Sequence, residues 1–175
     1  QQPVTNTVDY ITAIKTADQT GVVASTDITF STSSSTGNIA FNGTNFTLKA
    51  GKTYLLEAGL IQGNTNAHNA RYQSFTSANV VLPNQNVGIA KSPQGTNDGG
   101  AYVSAVTVYT PTTDTQVKVR TISVSASMTI SGDSTNTAQG TSFAKITQLG
   151  ATTQTTSSVF LQNGNAVNAN QILGS

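Results

Sequence analysis

No stretch of eleven residues carries an apolar repeat of 3.6, whereas apolar–polar alternation of period 2 recurs along the chain, broken by Gly, Asn, Asp and Pro clusters. The clearest run is Ile122, Val124, Ala126, Met128 and Ile130, with Ser123, Ser125, Ser127 and Thr129 between them. Such a run makes a strand with one buried and one wet face. Just before it, Val117 and Val119 alternate with Lys118 and Arg120 in the opposite phase, which predicts a β-bulge near Arg120–Thr121. Composition points the same way. Charged residues are 9% of the chain, against about 25% in an ordinary soluble domain, and Thr, Ser, Asn and Gln supply the polar surface instead. Those residues favour strands, caps and turns over helix.

Further strands are expected at Tyr10–Ile14, Thr26–Phe30, Gly37–Phe41, Asn45–Leu48, Thr53–Ile61, Arg71–Phe75, Ala78–Leu82, Ala101–Thr110 and Ser142–Leu149. Asn42-Gly43 and Ala50-Gly51-Lys52 mark turns, and Pro93 to Gly100 and Gly132 to Gly140 read as loops. This density of short strands predicts an all-β sandwich, jelly roll or barrel. Four strands are apolar on both faces. Tyr54, Leu56 and Leu60 oppose Leu55 and Ile61; Tyr102, Val106 and Val108 oppose Val103, Ala105 and Tyr109; Phe143 and Leu149 oppose Ala144 and Ile146; Tyr10 and Ile14 oppose Ile11 and Ala13. A sandwich has one core, so the second face of such strands needs a partner, and an oligomer interface is the simplest one.

The order of landmarks resembles the C1q/tumour-necrosis-factor jelly roll. It runs from Asp9-Tyr10-Ile11-Thr12-Ala13 through Phe41, Phe46-Thr47-Leu48 and Gly51-Lys52-Thr53-Tyr54-Leu55-Leu56. It continues through Gly99-Gly100-Ala101-Tyr102 and Thr113-Asp114-Thr115-Gln116-Val117 to Thr141-Ser142-Phe143-Ala144-Lys145-Ile146. Thr113 stands where the family has Gly before Asp, and Lys145 stands at another usual Gly. The resemblance implies a jelly-roll domain over residues 9–149, after a lead-in at 1–8 and before an extended C-terminal arm at 150–175. It also implies that the first strand, the Gly-x-Tyr strand, the Gly-Gly strand and the last strand form an inner sheet around a threefold axis. Tyr54, Leu56, Tyr102, Val106 and Phe143 are the residues expected at a trimer interface. Trimers of this fold occur on bacteriophage particles as spikes, head fibres and decoration proteins, and the low charge and Thr/Ser/Asn richness resemble those.

The arm carries no charged side chain and has two apolar anchors, Phe160 with Leu161 and Ile172 with Leu173. It is expected to attach the trimer to a capsid or other virion protein. With no collagen-like or coiled-coil stalk before residue 9, a trimer seated directly on the shell is expected. The alternatives are a receptor-binding tip of a tail fibre or spike, meeting a host-surface receptor, and a bacterial surface adhesin or pilin-type domain at the cell surface.

Chemistry is sparse. There is no cysteine, hence no disulfide, thiolate site or thiol nucleophile. His68 is the single histidine and sits in the polar loop Asn64–Asn69. The acidic residues Asp9, Asp18, Asp27, Glu57, Asp98, Asp114 and Asp133 are dispersed, with no two within four residues. Asp98, in Asn97-Asp98-Gly99, reads as a turn residue, with a calcium loop as its alternative. Glu57 lies inside an apolar strand, as a partner for Lys or Arg or as the promoter of a Lys–Asn isopeptide bond. Asn42-Gly43-Thr44 and Asn45-Phe46-Thr47 match the glycosylation pattern, which chance supplies in so Asn- and Thr-rich a chain. No cofactor, metal site or catalytic residue is expected, and the chain reads as non-enzymatic. Net charge is +1 with Lys and Arg scattered singly, so no nucleic-acid footprint is expected. No apolar run approaches 18 residues, and no membrane insertion is expected.

Overall fold

Alternating segments form strands here because each buries one side-chain parity and leaves the other to solvent. A computed structural model describes residues 8–63, 69–91, 103–132 and 141–150. Its strands are β1 (Tyr10–Ile14), β2 (Gln19–Val22), β3 (Thr32–Thr36), β4 (Ala40–Phe41), β5 (Phe46–Leu48) and β6 (Thr53–Gly59), then β7 (Asn69–Thr76), β8 (Gly88–Lys91), β9 (Ala105–Tyr109), β10 (Thr115–Val124), β11 (Met128–Ile130) and β12 (Phe143–Leu149). No helix occurs among the described residues.

Two five-stranded sheets, in the orders β3-β1-β12-β6-β9 and β4-β5-β10-β7-β8, accompany a small β11-β2 pair. Every strand pairing among the described residues is antiparallel. The protein is therefore all-β, and its core lies between the two large sheets. Ile11, Ala13, Tyr54, Leu56, Ala58, Ala105, Ala144 and Ile146 come from the first sheet. Phe46, Leu48, Ala70, Tyr72, Ala90, Val117 and Val119 come from the second. The β4–β5 turn is the Asn42-Gly43 turn read from the sequence. Asn42 Oδ1 accepts the N–H groups of Thr44 and Asn45 at 3.1 and 2.8 Å, and Gly43 takes φ +96°. Phe41 stacks on Phe46 across the hairpin, with ring centroids 4.7 Å apart.

The structure departs from the sequence reading at several elements. The long alternating run breaks after Val124: β10 stays with β7, while Met128 and Ile130 turn away to pair with β2. The register shift falls between Thr121 and Ser123, just after the expected bulge. Thr26–Phe30 makes a single bridge, Asp27 to Arg120. Its backbone nonetheless carries on where β5 ends, with Ile28 N–H donating to Val119 C=O at 2.9 Å and Thr121 N–H to Thr26 C=O at 3.0 Å. Ala78–Leu82 is a turn, with Asn79 at φ +65° and Val80 and Val81 exposed. Only Ala40–Phe41 of the expected Gly37–Phe41 strand pairs, because Gly37 sits in a turn at φ +80°. Strands β2, β3 and β8 were not expected; β3 is Thr-Ser-Ser-Ser-Thr and has no apolar residue to alternate.

Tyr72 ties the sheets together. Its ring is buried, and its hydroxyl accepts the Leu60 N–H at 3.0 Å and lies 2.9 Å from Val103 C=O and 3.2 Å from Ala58 C=O. Gly88 is there because a Cβ would meet the Tyr72 ring at 2.4 Å. Lys15 is also buried, and its ammonium donates to Thr29 C=O at 2.7 Å and Gln19 Oε1 at 3.3 Å. Burial lowers the Lys15 pKa to about 8, against the pull of Asp18, and burial raises the Tyr72 phenol to about 12.

Tyr72→Phe should destabilise the fold by about 1–3 kcal/mol in denaturant melts, because it strands the buried Leu60 N–H. The titrations give opposite slopes. Between about pH 8 and 10.5 the unfolded lysine holds a proton that folded Lys15 has released, so stability rises with pH. Between about pH 10 and 12 folded Tyr72 keeps a proton that the unfolded tyrosine has lost, so stability falls. Thermal melts should therefore show stability rising to about pH 10 and then declining, and Lys15→Met should abolish the rise while keeping the decline.

Candidate interaction surface

Glu57 fixes which face of the first sheet looks outward, since an unpaired carboxylate is costly in a sandwich core. Along β6, Tyr54, Leu56 and Ala58 are buried, and Thr53, Leu55, Glu57 and Gly59 form the opposite face. Antiparallel register carries that face across the sheet. Ile14, Phe143 and Gly59 make one row. Thr12, Lys145, Glu57 and Val106 make the next, and Tyr10, Thr147, Leu55 and Val108 the third. Leu149 and Thr53 follow.

This face is unusually apolar for an outer surface. Val8, Ile14, Val106, Val108 and Leu149 are 41%, 38%, 37%, 48% and 39% exposed. Partly covered Tyr10, Leu55 and Phe143 lie among them. The Phe143 ring lies over Gly59, where an added Cβ would come within 2.4 Å of it. Lys145 and Glu57 are directly opposite one another in register at the centre. Val8, Tyr10, Thr12, Lys145 and Thr147 line an open groove of about 440 Å³.

The residues expected at an oligomer interface divide. Val106 and Phe143 lie on this outer face. Tyr54 and Leu56 do not: both are buried in the chain's own core, and the Tyr54 hydroxyl accepts the Lys49 N–H at 3.1 Å. The reason is parity, because Glu57 and Lys145 hold the outward positions and force their immediate neighbours inward. Tyr102 lies outside the described residues, as do His68, Asp98, Asp133 and the arm residues Phe160, Leu161, Ile172 and Leu173. Sequence reasoning left out Leu55 and Val108 as interface residues, although the parity of Glu57 and Lys145 marks them.

Most described acidic groups serve the fold. Asp9 pairs with Lys52 at 3.0 Å, Asp27 with Lys118 at 2.8 Å and Arg120 at 3.5 Å, and Asp114 with Lys49 at 2.7 Å. Asp18 accepts the Gly132 N–H at 2.9 Å. The hydrogen bond from Lys49 lowers the Asp114 pKa, and the same bond raises that of Lys49. Among the described residues no three His, Cys, Asp or Glu side chains gather as metal ligands, and no helix is long and apolar enough to cross a membrane. The sequence matches no protein-family model and no curated protein.

Leu56→Ala should cost about 2–5 kcal/mol of unfolding free energy. The loss should be the same at every protein concentration, since the contacts lie within one chain. A loss that shrinks or grows with concentration in equilibrium denaturation would move Leu56 to an interface.

Proposed function

We propose that this chain is a non-enzymatic structural protein of a virion surface: a homotrimeric jelly roll of the C1q/tumour-necrosis-factor type that decorates a capsid or forms a head fibre. The observation that carries the reading is the apolar outer face of the first sheet. That sheet contains β1, β6, β9 and β12, the strands that the family resemblance puts around a threefold axis. A threefold ring needs a heterologous contact, and this face offers unlike halves. The β9 side presents Val106 and Val108, and the β1–β12 side presents the groove.

The strand order adds support to the jelly-roll assignment, because the first and last strands among the described residues are neighbours in one sheet. Gln148 N–H donates to Asp9 C=O at 2.8 Å, so the chain enters and leaves the sandwich at one end. In this reading the residues after Gly150 are the attachment arm, with Phe160, Leu161, Ile172 and Leu173 as its anchors, and three arms on one trimer supply avidity.

Light scattering at micromolar concentration should give about three times the chain mass of 18.0 kDa. Val108→Asp should reduce it to the single-chain mass with the β-type circular dichroism retained, because the exposed side chain contributes little to the fold itself. A wild-type monomer would contradict the trimer and favour the adhesin reading.

A further inference from the structure

A sheet edge presents a row of unpaired backbone N–H and C=O groups, and proteins usually block it. Three of the four edges of the two large sheets are blocked or short among the described residues. The outer edge of β9 is capped by Asn86, whose amide donates to Ser104 C=O at 2.7 Å and whose Oδ1 accepts the Val106 N–H at 2.7 Å. The edge of β8 exchanges bonds with Val103: Ile89 N–H donates to Val103 C=O at 2.8 Å, and Val103 N–H to Ile89 C=O at 3.3 Å. Strand β4 has only two residues.

Among the described residues, strand β3 has none of these protections. It pairs with β1 alone, in continuous register without a bulge, and Ser33, Ser34, Ser35 and Thr36 are exposed. It contains no Pro and no charge, and the sequence has no charged residue between Asp27 and Lys49. The strand itself therefore carries no charge to repel an approaching strand. The sequence of β3, Thr-Ser-Ser-Ser-Thr, also reads the same in both directions.

We propose that β3 pairs antiparallel with β3 of a second copy of this chain, about a twofold axis through Ser34. Full overlap of the five residues sets Ser34 opposite its own copy and Ser33 opposite Ser35 of the other chain. Paired hydroxyl side chains favour such a ladder, and no like charges oppose it. The overlap stops at Gly37, whose φ of +80° turns the chain away. The two first sheets then become one continuous sheet across both copies. The contact uses an edge and not the apolar face, so it stands apart from the trimer proposed above and links one trimer to the next. It is weak in dilute solution and strengthens where copies crowd together.

Single-cysteine cross-linking tests the register, since the chain has no thiol of its own. Directly opposite Cα atoms lie about 4.5–5.5 Å apart in an antiparallel ladder, inside the disulfide range of about 4.4–6.8 Å. Mild oxidation of concentrated Ser34→Cys protein should give a reducible dimer as the main species. Thr36→Cys should give at least tenfold less, because its two copies are four residues out of register, about 14 Å apart. A mixture of Ser33→Cys and Ser35→Cys should cross-link more than either alone. Circular dichroism confirms that each variant is folded before oxidation. Equal cross-linking by Ser34→Cys and Thr36→Cys, or none by Ser34→Cys with none in the mixed pair, overturns the proposal. Neither result depends on the mass of the assembly, so the trimer stands or falls separately.

Discussion

The parity of β6 governs what the rest of the molecule can present. Its side chains alternate strictly between core and surface, so the charge at Glu57 commits Tyr54, Leu56 and Ala58 to the interior. The neighbouring β12 repeats the arrangement in register, with Lys145 opposite Glu57 and Ala144 and Ile146 turned inward. A slip of one residue would send both charges into the core and both apolar sets into water. The same lock decides which apolar residues remain outside. Leu55, Phe143, Val106 and Val108 are exposed or half-exposed because they share parity or a row with that charged pair.

With charged residues so scarce, several of those present are used as struts between segments distant in sequence. Asp9 and Lys52 join the start of β1 to the turn before β6. Asp27 takes Lys118 and Arg120 from β10, and Arg120 also reaches Asn79 in the turn after β7. Asp114 holds the 49–51 turn through Lys49 and the Ala50 N–H. Lys118 and Asp9 are nearly buried, where losing one partner leaves a costly lone charge. The exposed Lys49–Asp114 pair contributes far less. Hydroxyl and amide groups do similar work without charge: Gln85 closes a loop on both the N–H and C=O of Ser74, at 2.8 Å each.

Much of the fold was legible from alternation alone. Tyr10–Ile14, Phe46–Leu48 and most of Thr53–Ile61 and Ser142–Leu149 are strands where period 2 placed them, and β1, β6, β9 and β12 share one sheet. Illegible were the segments whose pairing does not depend on apolar side chains. Strand β3 is held by its backbone against β1 and has no hydrophobic signal. Ala78–Leu82 has the composition of a strand, but Asn79 takes a left-handed turn there and only Val81 bridges back, to Phe75. The apolar outer face was half legible. That four strands are apolar on both faces could be read directly, whereas which face lies outside depended on giving Glu57 and Lys145 priority over the larger Tyr54 and Leu56.

The central claim is that the outer face of the first sheet is covered in solution by further copies of the chain. Hydroxyl-radical footprinting measures that cover residue by residue. At micromolar concentration Tyr10, Ile14, Phe143, Val106 and Val108 should be protected, while Val23 and Val80, exposed elsewhere at 50% and 61%, should be oxidised freely. Oxidation of Val106 and Val108 at the rate of Val23 and Val80 would contradict the account.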